Sequence, residues 1–175
     1  MIKIALIIAF RDFRDEEYFI TKQILEEKGI STKTFSTSLG TAFGSYGGEV
    51  KVEEVLNKLN IKEFDGIVFV GGAGCYKFME EELIYQIVRD IVKENKILGA
   101  ICAAPAILAK AGVLIGKKAT VWSSNMDKSL LKLLKENGAK YEEKDVILDG
   151  NIVTANGVEA TEKFAQVLTG ILKNI

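Results

Sequence analysis

The sequence contains no histidine, and this absence excludes more chemistry than any other feature of its composition. Without imidazole, a single chain cannot build a Ser-His-Asp or Cys-His nucleophile pair, a histidine metal site or an imidazole proton relay. Any catalysis within the chain must therefore use thiol, carboxyl, amine or hydroxyl groups. We expect no metal site.

Cysteine and proline are also scarce, with two cysteines and one proline in 175 residues. Cys75 and Cys102 follow no secretory signal, so they fit a reducing compartment better than a disulfide scaffold, and we expect a cytoplasmic location. The first ten residues are apolar but end at Arg11, far short of the roughly 20 residues that a membrane-spanning helix needs. They are therefore predicted to form a buried strand.

Neither sign of charge is in excess, because 23 basic side chains nearly balance 24 acidic ones and leave a net charge of -1. No overall field attracts nucleic acid or an anionic membrane surface, and we expect neither as a partner. With 48% hydrophobic residues, the chain can bury a large core. Its length of 175 residues predicts one domain over residues 1–175.

Short apolar runs at 2–10, 66–70 and 96–101 alternate with amphipathic segments of helical length. This order predicts an α/β fold, a three-layer sandwich with a flavodoxin-like, mostly parallel sheet, whose ligands bind at the carboxyl ends of the strands. Helices are expected at 15–28, 80–94, 103–110, 127–137 and 159–173, and further strands at 30–35 and 118–121. Residues 146–154 are expected to form a hairpin turned by Asp149-Gly150, 36–48 a hairpin or flexible excursion, and 52–59 a helix.

The segment GAICAAP at 99–105 places Cys102 between a predicted strand and a predicted helix. Alanines lie two positions before and after Cys102, and small residues at those positions permit the tight, strained turn of a nucleophile elbow. Amides at the start of the helix would favour the thiolate and lower the pKa of Cys102 from the free value of about 8.5. The alternative is that Cys102 is only a small, buried apolar residue.

Two other segments are predicted to reach the same edge of the sheet. The loop Gly71-Gly72-Ala73-Gly74 follows a buried strand, and its amides could join that of Ala103 in holding an oxyanion. No nucleotide fingerprint fits residues 71–78, so we expect no cofactor. The acidic turn Asp15-Glu16-Glu17 follows the first strand; most such turns only complement a helix dipole, but one carboxylate could face Cys102.

Taken together, these three segments resemble the ThiJ/PfpI superfamily, which is class I glutamine-amidotransferase-like and includes a deglycase and archaeal intracellular peptidases. The resemblance covers most of the chain and implies that Cys102 is the reactive nucleophile, that Glu17 contacts its sulfur, and that Gly72 and Ala103 supply the oxyanion amides. It also implies a homo-oligomer, either a dimer or a hexamer. Hydrolases of this superfamily usually add a histidine, but the two corresponding places hold Ala103 and Trp122. A cysteine peptidase is therefore disfavoured, because the leaving nitrogen needs a proton.

A carboxyl group beside a thiol should share one proton with it near neutral pH, most simply with the proton on Glu17. Such a pair suits a glyoxalase-like or deglycase-like enzyme that acts on small reactive aldehydes without histidine. The alternative is an oxidative-stress sensor or chaperone-like protein whose Cys102 is oxidised by peroxide.

Several other residues are weaker candidates for a role in the site. Cys75 could resolve an oxidised Cys102 by forming a disulfide, although a packing role is the simpler explanation. Gly71, Trp122 and Asn156 are candidate substrate-binding residues, and Tyr76 is a further candidate for the pocket wall. An aromatic residue in a loop is more often a packing residue than a ligand contact.

Overall fold

The computed structural model describes residues 1–174. Its strands are β1 (Lys3–Ile7), β2 (Arg11–Phe13), β3 (Ser31–Ser36), β4 (Gly40–Gly44), β5 (Glu49–Val52), β6 (Glu54–Val55), β7 (Gly66–Phe69), β8 (Ile97–Ile101), β9 (Lys118–Ala119), β10 (Lys140–Tyr141), β11 (Val146–Asp149) and β12 (Ile152–Ala155). Its α-helices are α1 (Asp15–Glu27), α2 (Glu82–Lys93), α3 (Pro105–Lys110), α4 (Ser129–Glu136) and α5 (Thr161–Leu172).

Seven strands form the central sheet in the order β11-β12-β8-β7-β1-β3-β6. Every neighbouring pair is parallel except β11 and β12, which form the antiparallel hairpin expected at Asp149-Gly150. The inner strands β7 and β8 are buried along their whole length, as their continuous apolar sequences predict for strands covered on both faces. The predicted mostly parallel sheet is confirmed.

Helices cover both faces of this sheet. Helices α1 and α5 pack against each other on one side, while α2, α3 and α4 form a contiguous layer on the other. Successive residues of β1 alternate between the two cores: Ala5 and Ile7 belong to one apolar cluster, and Ile4 and Leu6 to the other. The three-layer arrangement predicted from the sequence is therefore present.

Two predicted elements differ from the structure. Residues 52–59 do not form a helix: Val52 ends β5, residues 54–55 form the edge strand β6, and only 56–58 make a 3₁₀ turn. Val50 and Val52 are buried by pairing with β4, so a strand-like alternation prevails over helix propensity here. The strand predicted at 118–121 is limited to β9, which pairs with β10 outside the main sheet.

Residues 36–48, expected to be a hairpin or a flexible excursion, contribute to an antiparallel hairpin of β4 and β5, which extends from the sheet and pairs with β2. The carboxylate of Asp15, in the first turn of α1, accepts hydrogen bonds from the amides of Tyr46 (2.9 Å) and Gly48 (2.6 Å) at the hairpin tip. This side chain therefore connects the hairpin to the helix.

The topology determines where a site can form. Strands β12, β8, β7 and β1 are consecutive in the sheet and parallel, so their carboxyl ends meet at one edge. The segments that follow them carry Asn156, Cys102, the glycine loop and Glu17. No helix within residues 1–174 combines the length and apolarity needed to cross a membrane.

Candidate functional site

Cys102 occupies a strained turn directly after β8. Its φ of 63° lies in the left-handed region, which is costly for a residue with a side chain. Two backbone hydrogen bonds hold the turn: the Cys102 amide donates to Ala155 (2.9 Å), and the Trp122 amide donates to the Cys102 carbonyl (2.9 Å). The thiol is half-buried rather than sealed in the core, so the turn has the form of a nucleophile elbow.

Glu17 lies in the first turn of α1 and is fully buried, with 0% of its surface exposed. Its Oε2 accepts a hydrogen bond from the Gly71 amide (2.9 Å), and its carboxyl group interacts with the Cys102 thiol. Its Oε1 is buried and has no hydrogen-bond partner among the described residues. The three carboxyl groups of the acidic turn therefore have different roles. Glu17 faces the thiol, Asp15 accepts hydrogen bonds from the hairpin, and Glu16 pairs with Arg14 at 2.8 Å.

The glycine loop leaves room for this pair only because position 71 has no side chain. A Cβ on Gly71 would lie 2.6 Å from Cβ of Cys102 and 2.7 Å from Oε2 of Glu17, between the two functional groups. Gly72 adopts a φ of +106°, and its amide, like that of Ala103, lies near the sulfur of Cys102, where it favours the charged form and opposes part of the rise in the thiol pKa. The two predicted oxyanion amides therefore converge at the thiol.

Burial dominates the electrostatics of the pair. It raises the pKa of Glu17 to about 7 and, together with the neighbouring Glu17 charge, raises the pKa of Cys102 to about 12. The expected lowering of the thiol pKa by a helix is therefore wrong. Helix α3 begins only at Pro105 and spans six residues, so its dipole is weak beside a buried carboxyl group. The pair retains one proton in the neutral range.

A cleft of about 480 Å³ opens above the pair. Trp122 and Asn156 line it, as predicted, together with Glu17 and Cys102. Gly71 is buried beside the pair, and Tyr76 is exposed; neither belongs to the described residues that line the cleft. The cleft wall also includes residues for which no role was predicted from the sequence: Arg14, Ser123, Asp145, Gly157, Val158 and Glu159.

The register of the sheet explains why these residues reach the cleft. Strand β12 pairs with β8, and the segments on both sides of the β11–β12 hairpin border Cys102 as a result. Asp145 precedes β11, and Glu159 follows β12. The Asp149-Gly150 turn does predict the hairpin that Asp145 and Glu159 flank. The turn does not show that this hairpin pairs with β8, so the sequence could not place the two residues at the cleft.

Cys75 is fully buried in the core, and burial raises its pKa well above the ordinary value of a thiol. Both cysteines are free thiols. Among residues 1–174, no group of three or more cysteine, aspartate and glutamate side chains could hold a metal ion.

Together, the parallel sheet, the strained cysteine turn and the buried glutamate define an α/β protein with a half-buried thiol beside a buried carboxyl group at the carboxyl edge of its sheet. Residues 2–170 match the DJ-1/PfpI family model, and the chain belongs to this family.

Known proteins of this kind share both sequence and structure with the chain. It is 31% identical over 150 residues to Deglycase PH1704 of Pyrococcus horikoshii, covering 86% of this chain and 87% of the relative. It is 27% identical over 154 residues to the glutathione-independent glyoxalase DJR-1.2 of Caenorhabditis elegans, covering 88% and 80%. The crystal structure of a ThiJ/PfpI domain protein from Brachyspira murdochii superposes with a TM-score of 0.93 at 31% identity, covering 99% and 97%.

Proposed function

We propose that this protein is a cysteine-dependent enzyme that acts on small reactive aldehydes, as a glyoxalase-type or deglycase-type activity, with Cys102 as the nucleophile and Glu17 as the acid and base. The observation that carries the proposal is the contact between a half-buried thiol on a strained turn and a fully buried carboxyl group. Relatives named deglycase and glyoxalase support the same class of chemistry.

The first step is the addition of sulfur to a carbonyl group. The thiolate of Cys102 attacks the aldehyde carbon of a 2-oxoaldehyde such as methylglyoxal, and the carbonyl π electrons move to oxygen. The amides of Gly72 and Ala103, which lie near the sulfur, then stabilise this oxyanion. Protonation of the oxyanion by Glu17 gives a hemithioacetal and leaves a carboxylate.

The second step moves a proton between carbon atoms. The Glu17 carboxylate removes the proton from the carbon bonded to sulfur, which gives an enediolate with its charge on the former ketone oxygen. The hydroxyl proton of the sulfur-bearing carbon passes to that oxygen, and Glu17 returns its proton to the neighbouring carbon, which gives a thioester. Water then cleaves the thioester, releasing lactate and restoring the thiol. The balance is methylglyoxal plus water to lactate, with no net oxidation, and one carboxyl group handles each proton transfer to and from carbon.

A pKa of about 7 suits Glu17 to this role, because a group that titrates near the working pH can both donate and accept a proton. Peptide hydrolysis suits the site less well. The chain contains no imidazole to protonate a leaving amine, and the single carboxyl group beside the thiol is already needed by the sulfur.

Lactate formation from methylglyoxal tests the proposal in the wild type, Cys102→Ala and Glu17→Gln. We expect both variants to lose at least about 100-fold in rate. Glu16→Gln, which removes a carboxylate from the same helical turn, and Cys75→Ala, which removes the other thiol, should stay within about threefold of the wild type. Equal rates in wild type, Cys102→Ala and Glu17→Gln would refute the proposed activity.

The unpartnered Oε1 of Glu17 favours a second candidate function, oxidation sensing. Two molecules of peroxide would each transfer one oxygen to Cys102 and leave as water, and a sulfinic acid could then share a hydrogen bond with Oε1. Intact mass measurement after peroxide treatment tests this. A gain of two oxygens on Cys102 without aldehyde turnover favours the sensor, and an unmodified thiol counts against it.

We also propose that the protein works in a reducing interior such as the cytoplasm. Its two cysteines are free thiols, and a reactive thiol persists where disulfide formation is not favoured. Thiol titration of protein isolated from cells under acid quench tests this, since two free thiols per chain are expected.

A further inference from the structure

We infer that the cleft selects electrophiles by charge, favouring positively charged ones over negatively charged ones, and that Asp145 and Glu159 are the residues that impose this selectivity. The inference deepens the proposed function and rests on one part of it, namely Cys102 as the attacking group.

The charged groups around the cleft give an uneven balance. Among the described residues that line the cleft, Arg14 is the single basic one, and its Nε donates to Glu16 at 2.8 Å, so this cation is already paired. Asp145 and Glu159 are exposed on the wall, and neither carboxylate forms a salt bridge or side-chain hydrogen bond with another described residue. The carboxylates of Asp145 and Glu159 therefore present two uncompensated negative charges to any molecule that enters the cleft.

A nearby lysine does not change this balance. Lys144 precedes Asp145 in the chain, but its ammonium group pairs with Glu142 at 2.7 Å, and Lys118 lies 3.5 Å from the same carboxyl group. At the base of the cleft, Glu17 and Cys102 share a proton and add further negative charge rather than opposing it. Apart from Arg14, which is paired with Glu16, the charged side chains that line the cleft among the described residues are therefore all acidic.

The buried Oε1 of Glu17 is a second and independent indication of the ligand. When Glu17 is ionised, this buried oxygen is a hydrogen-bond acceptor at the base of the cleft, and it has no donor among the described residues. A ligand that carries N–H groups, such as an ammonium-bearing aldehyde, supplies the missing donor, whereas a carboxylate or phosphate adds another acceptor. Acceptors at the base and negative charge at the rim therefore favour the same chemical class: an aldehyde bearing a protonated amine.

The selectivity can be measured without turnover by thiol labelling. Three methanethiosulfonates serve as probes: a trimethylammonium-ethyl (cationic), a methyl (neutral) and a sulfonato-ethyl (anionic) reagent. The Cys102 thiolate attacks the sulfenyl sulfur, a disulfide forms, and methanesulfinate leaves with the bonding electron pair. Rates on the Cys102 peptide, divided by those of each reagent with free 2-mercaptoethanol, remove the intrinsic reactivities.

We expect the normalised ratio of cationic to anionic rates to be roughly tenfold at about 20 mM salt and to fall toward unity at about 500 mM salt, because exposed charges are screened. Asp145→Asn combined with Glu159→Gln should reduce the low-salt ratio to about twofold or less. The ratio is the informative quantity, since any change in the reactivity of the sulfur itself affects all three reagents equally.

The matched control is Glu27→Gln combined with Glu94→Gln. Both residues are exposed, they lie at the opposite end of the sheet from the cleft, and the pair changes the net charge of the chain by the same amount. The ratio should remain near tenfold in this control, because only local charges act through the solvent at short range.

The outcomes separate this inference from the proposed function. A ratio near unity, a ratio that Asp145→Asn with Glu159→Gln leaves unchanged, or a Cys102 that none of the reagents labels overturns the charge selectivity. A charge-dependent ratio in a protein that forms no lactate from methylglyoxal supports the selectivity and refutes only the aldehyde activity.

Discussion

At the scale of single residues, two ionisable side chains are placed where neither can ionise freely. Glu17 has no exposed surface, and Cys102 lies against it on a backbone turn with φ of 63°. Burial disfavours the charged form of each group, and the charge of one disfavours the charge of the other. The chemistry therefore belongs to the pair, which gains and loses protons as one unit.

The first prediction at this scale concerns the reactivity of the thiol. Because the pKa of Glu17 is near 7, the rate of Cys102 alkylation by iodoacetamide should show a step near pH 7, where the pair loses its first proton. In Glu17→Gln the step near pH 7 should vanish, and the thiol should titrate alone at a lower pH than the second step of the wild type, because the Glu17 charge that raises the pKa of Cys102 is removed. Superimposable pH profiles of the two proteins would contradict the coupling.

The second prediction concerns stability. The pKa of Glu17 rises from an ordinary value of 4.5 to about 7 in the folded protein, so the folded state binds more protons between these values. The stabilisation from this uptake is complete below pH 4.5 and is lost as the pH rises through 7. Between pH 4 and pH 8, the free energy of unfolding should therefore fall by about 3 kcal/mol more in the wild type than in Glu17→Gln.

Urea denaturation at the two pH values measures this difference. Glu27→Gln is the control, since that carboxylate is exposed and should leave the pH dependence of the wild type unchanged. A wild-type difference no larger than that of Glu17→Gln would show that Glu17 is not buried as a shared-proton group.

At the scale of elements, the site depends on loops that fit closely around small residues. Gly71 and Gly72 follow β7, and a Cβ at either position would collide with the elbow or with the segment before α1. The Arg14 amide also donates to the Gly71 carbonyl (3.0 Å), so the glycine loop and the start of α1 are held together. The distance between Glu17 and Cys102 is therefore set by how the glycine loop packs against the start of α1 and the elbow, and not by either side chain alone.

The third prediction tests the space between these elements. Gly71→Ala places a methyl group between Cys102 and Glu17, and it should lower the alkylation rate at pH 7 at least tenfold and destabilise the fold by about 1–3 kcal/mol. Gly170→Ala is the matched control: position 170 lies within α5 with nothing within 4 Å of a new Cβ, and alanine there should stabilise by about 0.5–1 kcal/mol. Normal alkylation in Gly71→Ala would disprove the close fit.

The fourth prediction concerns the hairpin that Asp15 holds. Asp15→Ala removes the charged acceptor of two amides, those of Tyr46 and Gly48, and should cost about 1–3 kcal/mol in the free energy of unfolding. The alkylation step near pH 7 should persist, because Glu17 and not Asp15 faces the thiol. Loss of the step with unchanged stability would mean that the roles of the two carboxylates are reversed.

At the scale of the whole molecule, the two cysteines report on different events. Cys102 is half-buried beneath an open cleft, whereas Cys75 has no exposed surface and lies in the core on the α2–α4 side of the sheet. Native labelling should therefore modify Cys102 alone, and Cys75 should react only when that core opens.

The fifth prediction follows from this difference. In Cys102→Ala, the labelling rate of Cys75 by a neutral thiol reagent should increase with urea in parallel with global unfolding, as shown by circular dichroism measured on the same samples. Labelling of Cys75 that is fast and independent of urea would contradict its burial. It would also support the redox role considered for Cys75, which peptide mapping under non-reducing conditions after peroxide treatment tests directly.

The homo-oligomer implied by the family resemblance, a dimer or a hexamer, is likewise a property of the whole molecule. We propose that the protein forms one of the two, and light scattering coupled to size-exclusion chromatography checks this. A monomer at all concentrations would refute the expectation.

Local sequence patterns determined much of this protein. Continuous apolar runs require strands covered on both faces, and alternating amphipathic segments supply the covering helices, so the α/β sandwich follows from burial alone. The motifs around Cys102, the glycine loop and the acidic turn are legible in the sequence itself, and the roles proposed for Cys102, Glu17, Gly72 and Ala103 follow from the family resemblance that these motifs carry. The missing histidine likewise excludes imidazole catalysis within the chain, whatever its fold.

Tertiary structure alone decided the rest, because it depends on neighbours that are distant in sequence. A lowered thiol pKa was predicted from a nearby helix; instead, burial of Cys102 itself and the charge of Glu17, which is 85 positions away in the chain, raise it. Asp145 and Glu159 reach the cleft only because β12 pairs with β8, and β5 and β6 form strands where a helix was expected because partner strands were available. Burial and strand pairing depend on contacts throughout the fold, so no local sequence pattern specifies them.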